Sequence, residues 1–120
     1  MKIAFTTSGD NLNSPLEPRF GRAPRFLVYD DESKDVEIVD NQQNMNAPQG
    51  AGIQAAQNVA NKGVRCLVTG HCGPKAFRVL TEAGIKIYNT DVPTVAAALE
   101  ALNAGRLKPS NAPDVEGHWA

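Results

Sequence analysis

The sequence predicts an α/β domain with a mixed five-stranded sheet, and three observations support this fold class. Short apolar runs typical of strands recur along the chain, and in its second half they alternate with helical patterns. Two of the early runs, residues 26–30 and 36–40, are joined by a polar turn, which indicates an antiparallel hairpin. At 120 residues the chain is long enough for one such domain and too short for two.

Composition argues against several classes of protein. With 12 Lys and Arg against 13 Asp and Glu, the net charge is -1, so no basic excess points to nucleic acid. The two cysteines, Cys66 and Cys72, lack the spacing of a redox pair or a zinc site, which favours a reducing compartment. Because the N-terminal apolar run is too short for a signal peptide and no run reaches membrane-spanning length, we expect a cytoplasmic protein that binds neither membrane nor nucleic acid.

The first predicted strand, residues 2–7, leads into a long loop rich in turn residues. This loop carries Arg19, Arg22 and Arg25 at intervals of three, and prolines directly precede the first and the last of them. The planar fork of arginine donates hydrogen bonds in pairs and suits polydentate anions. We therefore predict a cationic rim, and we expect at least one of the three arginines to pair with a surface acid instead.

After the hairpin, the amide-rich segment 41–50 offers little apolar surface to bury, so we predict that it is mobile and that it orders when a ligand binds. Met45 in it is expected to face solvent. A helix over residues 51–61 follows, closed by Lys62 and Gly63. Gly50 and Gly52 at the start of this helix leave backbone amides accessible to a ligand.

Strands and helices then alternate in the order strand 65–69, helix 74–83, strand 85–88 and helix 93–104. Either Thr90 or Asp91 is expected to cap the last helix. The element order β-β-β-α-β-α-β-α places a hairpin beside a parallel sheet with helices packed on it. We assign residues 1–105 to this domain and predict that the tail, residues 106–120, is loosely ordered.

The predicted topology brings the unusual segments of the chain to one place. In such sheets the carboxyl ends of the parallel strands and the amino ends of the following helices share an edge, where ligands bind. The loops at that edge are 7–25, 41–50, 69–73 and 89–92. Helix-start amides, nearby arginines and the absence of a carboxylate cluster predict that an anion binds there.

The central loop of this edge runs from Gly70 to Pro74. Gly70 and Gly73 allow a ligand to approach the main chain, and Pro74 suits the first turn of a helix. The amides and the dipole of that turn favour an anion, and His71 and Cys72 add an imidazole and a thiol. An ordinary strand-to-helix turn with incidental polar residues is the alternative interpretation.

Read literally, His71, Cys72 and Arg78 have the spacing of cysteine-dependent phosphatases, in which a thiolate attacks phosphorus. The sequence departs from that pattern at three positions, because Lys75 replaces a glycine, Pro74 removes an amide donor, and the residue after Arg78 is Val79 instead of Ser or Thr. Arg78 is also predicted to lie one turn into a helix, so the phosphatase is the secondary hypothesis.

Three motifs, in this order and spacing, resemble the dinitrogenase iron-molybdenum cofactor-binding family. They are Pro18-Arg19-Phe20-Gly21-Arg22-Ala23-Pro24, Gly50-Ala51-Gly52-Ile53-Gln54-Ala55-Ala56 and Gly70-x-x-Gly73-Pro74-x-Ala76-Phe77. The family comprises small nitrogenase cofactor carriers and the orange proteins of sulfate reducers, and the orange proteins are the members that this chain most resembles. One departure is Gln49, at a position that is often His in the family.

This resemblance implies a three-layer ribonuclease-H-like domain with helices on both faces of the sheet. It also implies that the chain binds, stores or delivers an anionic metal-sulfide cluster without being an enzyme. The cluster would be a molybdenum-copper sulfide or one like the iron-molybdenum cofactor, held non-covalently. A P-loop ATPase is the implied partner, and a regulatory module for such an ATPase is a further alternative.

The resemblance also implies which residues hold the cluster. The implied cofactor-binding residues are Arg19, Phe20, Gly21, Arg22, Gly50, Ala51, Gly52, Gly70, His71, Cys72, Gly73 and Pro74. His71 and Cys72 are the candidates for direct contact with metal, and Cys66 is expected to lie in the core. A thiomolybdate-type cluster carries its own sulfide, so it needs charge and N–H donors more than protein ligands.

Overall fold

The computed structural model describes residues 1–45 and 51–112. The strands are β1 (Lys2–Thr7), β2 (Arg25–Asp30), β3 (Val36–Asp40), β4 (Val64–Thr69) and β5 (Lys86–Asn89). The helices are α1 (Gln42–Met45), α2 (Ala51–Ala60), α3 (Pro74–Glu82) and α4 (Val95–Asn103). Each predicted strand and helix is present within two residues of its expected bounds, and α1 is an additional short helix.

The five strands form one mixed sheet in the order β3-β2-β1-β4-β5. β2 pairs antiparallel with β1 and with β3, whereas β4 pairs parallel with β1 and with β5. The prediction of an antiparallel hairpin beside a parallel half is therefore confirmed. The narrower ribonuclease-H-like assignment stays a prediction.

Helices cover both faces of the sheet. Since side chains of a strand point alternately to its two sides, each strand contributes to the core layers on both faces. In β1, Ala4 belongs to the core layer under α2 and α3, whereas Ile3 and Phe5 belong to the layer under α4. The helices contribute mostly small side chains, which let them pack close to the sheet. These are Ala55, Ala56, Val59 and Ala76 on one face, and Val95 and Ala98 on the other.

The segment that follows β3, expected to have little to bury, begins with a buried residue. Asn41 is only 1% exposed, because its side-chain amide donates to the Ala23 carbonyl oxygen at 2.8 Å and its backbone N–H donates to Pro24 O at 2.8 Å. Polar side chains are buried readily when they are hydrogen-bonded in this way. The mobility predicted for residues 46–50, and their ordering on ligand binding, lie outside the described residues.

The cap of α4 is Thr94, so the prediction of Thr90 or Asp91 was wrong. The Thr94 hydroxyl oxygen accepts from the Ala97 amide at 3.1 Å. Thr90 instead donates its own amide to Thr69 O at 3.0 Å, which keeps that part of the chain aligned with the sheet. The helix therefore starts later than the sequence pattern indicated.

The first part of the tail, predicted to be loose, is held against the edge of the sheet. The Ser110 amide donates to Ile87 O at 2.7 Å, and Leu107 packs against the core layer under α4. Residues 113–120, with His118 and Trp119, lie outside the described residues. Across 1–45 and 51–112, no helix has the length and apolar character needed to cross a bilayer.

Candidate functional site

The candidate site lies at the edge of the sheet where the parallel strands end. β1, β4 and β5 run in the same direction and end at Thr7, Thr69 and Asn89. α3 begins after the loop that follows β4, and α4 begins after the loop that follows β5. This edge therefore gathers strand ends and helix starts, as expected for ligand sites in such sheets.

Two loops are joined at this edge by main-chain hydrogen bonds, an arrangement that we call the backbone clasp and define by residues 18–20 and 70–71. The His71 amide donates to Pro18 O, and the Phe20 amide donates to His71 O at 3.0 Å. Arg19 and His71 thus lie opposite each other as a parallel bridge. The clasp places the arginine loop directly beside the loop that starts α3.

Gly70 is required for the clasp. A methyl group at this position would lie 2.5 Å from Pro18 O and 2.7 Å from Pro18 Cα. Such distances are far below van der Waals contact, so only glycine allows the two loops to approach this closely. The sequence interpretation was that this glycine makes room for a ligand, but the neighbour that occupies the space is the main chain of Pro18.

The arginine loop is anchored by Phe20, which is 2% exposed and packs on Phe26 with ring centroids 5.2 Å apart. Arg19 is exposed, and Arg22 and Arg25 are half-buried. Among residues 1–45 and 51–112, neither Arg19 nor Arg25 forms an ion pair with an acid. The pairing expected for at least one arginine is therefore not found for these two, and their charges are available at the edge.

The start of α3 has no side-chain cap from its own N-cap residue, which is Gly73 in an extended conformation (φ -74°, ψ 171°). Pro74 occupies the first turn, where its missing N–H costs no helix bond. α4 differs, because the Thr94 hydroxyl caps it. Amides of an uncapped first turn, together with the helix dipole, favour an anion at that end.

The Cys72 thiol is buried beneath this loop. Cys72 is 1% exposed, its sulfur lies 3.8 Å from Gly73 O, and it belongs to the same core layer as Phe20 and Ala76. Burial raises the pKa of the Cys66 thiol, in agreement with its predicted place in the core. Within the described ranges, no group of three or more His, Cys, Asp or Glu side chains is arranged to hold a metal ion.

The phosphatase hypothesis requires Cys72 and Arg78 to face one anion. Arg78 is exposed on α3 and lines a surface groove with Ile53, Pro74, Lys75 and Val79. Cys72 is not among the residues that line this groove. The geometry does not favour a thiolate and a guanidinium that act on the same phosphate.

The remaining residues predicted to bind the cofactor are four glycines and one alanine. Gly21, Gly52 and Gly73 are buried, and Ala51 is the first residue of α2. Gly50, like Gln49, lies outside the described residues.

Asn89 is a contact residue that the sequence interpretation missed. Its side-chain amide donates to Gly70 O at 3.0 Å, and its carbonyl oxygen accepts from the Ser110 hydroxyl. Asn89 therefore ties the central loop of the site to the C-terminal segment. The available signal was its place as the last residue of β5, at the same edge as Thr69.

Comparison with known proteins gives a consistent assignment. The family model described as "Dinitrogenase iron-molybdenum cofactor" matches residues 1–105. The apo form of the orange protein from Desulfovibrio gigas superposes with a TM-score of 0.92 at 39% identity, covering 95% of this chain and 96% of that one. A Thermotoga protein solved by NMR superposes with a TM-score of 0.80 at 36% identity, covering 90% and 91%.

A curated relative agrees with these structures over nearly the whole chain. An uncharacterized protein of Methanocaldococcus jannaschii is 31% identical over 111 residues, which cover 90% of each chain. Sequence identity of this extent, together with the family match, decides the assignment. The chain belongs to the dinitrogenase iron-molybdenum cofactor family.

Proposed function

We propose that this protein binds, stores or delivers an anionic metal-sulfide cluster without catalysing a reaction on it. The cargo that we propose is a molybdenum-copper sulfide, with a cluster like the iron-molybdenum cofactor of the family's description as the alternative. The cluster would sit between the arginine loop and the start of α3. Family membership and the likeness to the orange protein support a carrier more than a catalyst.

The observation that carries this proposal is the clasp, which sets an arginine-bearing loop beside an uncapped helix start. The clasp joins residues 18–20 to residues 70–71, and α3 begins only three residues later, at Pro74. Positive charge and helix-start N–H groups therefore come from two loops that are fixed relative to each other. This combination suits a multivalent anion whose metal atoms are already saturated by sulfide.

The described side chains fit a cluster that brings its own sulfide better than a bare metal ion. No three-residue metal site exists within residues 1–45 and 51–112, and the Cys72 thiol is almost fully buried. In the proposal, Arg19 and Arg22 supply charge, and the amides after Gly73 supply hydrogen bonds. His71 and Cys72 remain the proposed candidates for direct contact with metal.

A visible-absorption titration tests the proposal. Metal-free protein is titrated with tetrathiomolybdate and copper, and a saturable chromophore is expected. An Arg19→Ala/Arg22→Ala variant should weaken binding about a hundredfold or more, since charge-assisted hydrogen bonds contribute about 1.5–3 kcal/mol each. The control is Arg65→Ala/Arg106→Ala, which removes the same charge from exposed arginines outside this edge.

Cys72→Ala separates two modes of holding the cluster. A chromophore retained by this variant means that charge and amides suffice, whereas its loss makes the thiol a ligand. If no chromophore forms with the wild type, the carrier proposal fails, and hydrolysis of aryl phosphate then becomes the next assay.

Three further expectations belong to the same proposal. We propose a cytoplasmic location, a P-loop ATPase as a protein partner, and a ribonuclease-H-like classification of the fold. The partner and the classification follow from the sequence resemblance, and the location follows from cysteine usage. Fractionation of cells, co-purification, and systematic structural classification are the respective tests.

A further inference from the structure

A surface groove separates the amino-terminal halves of α2 and α3. Its volume is about 340 Å³, and its lining residues are Ile53, Pro74, Lys75, Arg78 and Val79. The three apolar residues are half-buried, whereas Lys75 and Arg78 are exposed. The groove therefore combines an apolar base with a cationic border, and apart from Pro74 the carrier proposal uses none of these residues.

We propose that this groove, called the α2–α3 groove, docks an acidic amphipathic helix of a partner protein. The role of that partner, as donor or acceptor of the cluster, rests on the proposed carrier function. The docking itself rests on three features of the groove, which are its charges, its apolar base and its position.

The positive charges at the border of the groove favour an acidic partner. Lys75 and Arg78 lie one helical turn apart, so their Cβ atoms are about 5–6 Å from each other. Within residues 1–45 and 51–112 neither forms an ion pair, although the chain carries a net charge of -1. Carboxylates at positions i and i+3 or i+4 of an incoming helix have the matching spacing.

The apolar base of the groove suits apolar side chains of a partner better than it suits a small anion. Ile53, Pro74 and Val79 present no side-chain hydrogen-bond donor, so among the side chains of the groove only Lys75 and Arg78 could hold an inorganic ion. An amphipathic helix instead places apolar side chains in such a groove and its charges along the border. The volume is at the lower end of the range for ligand pockets, about 300–1,000 Å³, and is consistent with anchoring by a few side chains.

The position of the groove suits a protein that transfers cargo. Ile53 lies in the first turn of α2, and Pro74 is the first residue of α3. The groove therefore borders the helix start to which we assign the cluster. A partner helix seated there would lie beside the cargo without having to cross the clasp.

Peptide binding to the full chain, without any cluster, tests the docking. The probe is a stapled amphipathic helical peptide with a leucine ridge and glutamates at i and i+3, and its Kd is measured by fluorescence anisotropy. We expect saturable binding that weakens as salt is added. Lys75→Glu/Arg78→Glu should raise the Kd about tenfold or more, because two border ion pairs become repulsive.

Two matched comparisons make the result specific. The control Arg65→Glu/Lys108→Glu makes the same charge change at exposed residues that do not line the groove, and it should leave the Kd within about twofold. A peptide with lysines in place of the glutamates should prefer the Lys75→Glu/Arg78→Glu protein. Circular dichroism of each variant establishes that it is folded.

Three results would overturn the docking proposal. They are the absence of saturable binding, an unchanged Kd for the Lys75→Glu/Arg78→Glu protein, and displacement of the peptide by tetrathiomolybdate with NMR shifts at Lys75 and Arg78. The last result would make the groove an anion site. Since the peptide assay contains no cluster, its failure leaves the carrier proposal standing, and failure of the chromophore titration leaves the docking result standing.

Discussion

Replacing Gly70 by alanine should open the backbone clasp. The added methyl carbon would start 2.5 Å from Pro18 O, whereas unstrained contacts lie at about 3.5 Å or more, so the two loops must separate by about 1 Å. That displacement breaks both clasp bonds, from the His71 amide to Pro18 O and from the Phe20 amide to His71 O. At about 1 kcal/mol for each bond, the free energy of unfolding should fall by about 2 kcal/mol.

Urea denaturation measures this loss, and amide exchange locates it. With an m-value of about 2 kcal/mol/M, the unfolding midpoint should fall by about 1 M. The amide protons of Phe20 and His71 should lose their protection, because they are the donors of the clasp. Binding of tetrathiomolybdate and copper should weaken as well, since the arginine loop is no longer fixed beside α3.

Gly63→Ala is the matched control. Gly63 has a φ of +75°, and among the described residues no atom beyond Gly63 and its two chain neighbours lies within 4 Å of the place that an added methyl carbon would take. Alanine there therefore costs about 1–2 kcal/mol through backbone strain alone. This variant should lose stability yet keep both clasp amides protected. A Gly70→Ala protein with an unchanged urea midpoint and protected Phe20 and His71 amides would refute the reasoning.

Three further changes have expected outcomes by urea denaturation. Thr94→Ala should cost about 1 kcal/mol by removing the cap of α4, and Thr94→Ser should recover most of it; equal midpoints for all three proteins would contradict the assignment. Asn41→Ala should cost about 1–3 kcal/mol, because the Ala23 carbonyl loses its buried donor, and a neutral result would disprove that role. The Lys62 ammonium holds the pKa of Glu37 below its ordinary value, so this pair stabilises the fold above the ordinary pKa and stops doing so as the pH falls through the lowered one. Lys62→Met should therefore lose a few tenths of a kcal/mol at neutral pH and nothing in strong acid, and a loss that persists in acid would rule the ion pair out as its cause.

The sheet was predictable because its signals are local. Each strand is a short apolar run between turn residues, and the element order alone fixes which part of the sheet is parallel. The site could be located for the same reason, since strand ends and helix starts of that topology meet at one edge. The sequence pattern therefore indicates residues 70–74 as the centre of the candidate site.

The remaining features depend on partners that lie far away in sequence. Asn41 is buried because it bonds Ala23, which is 18 residues away, and no local pattern marks such a pair. Ser110 is fixed by Ile87 and Asn89 across the edge of the sheet. For Gly70 the residue type signalled a close approach, but only the fold identifies Pro18 as the neighbour.

Both bonds of the backbone clasp join main-chain atoms, so neither uses the side chain of Arg19 or His71. Substitution at these two positions can change the charge and the ligand chemistry of the site while the loops keep their course. If the proposed carrier function holds, positions 19 and 71 are where cargo preference can be varied on a constant frame, whereas position 70 must remain glycine.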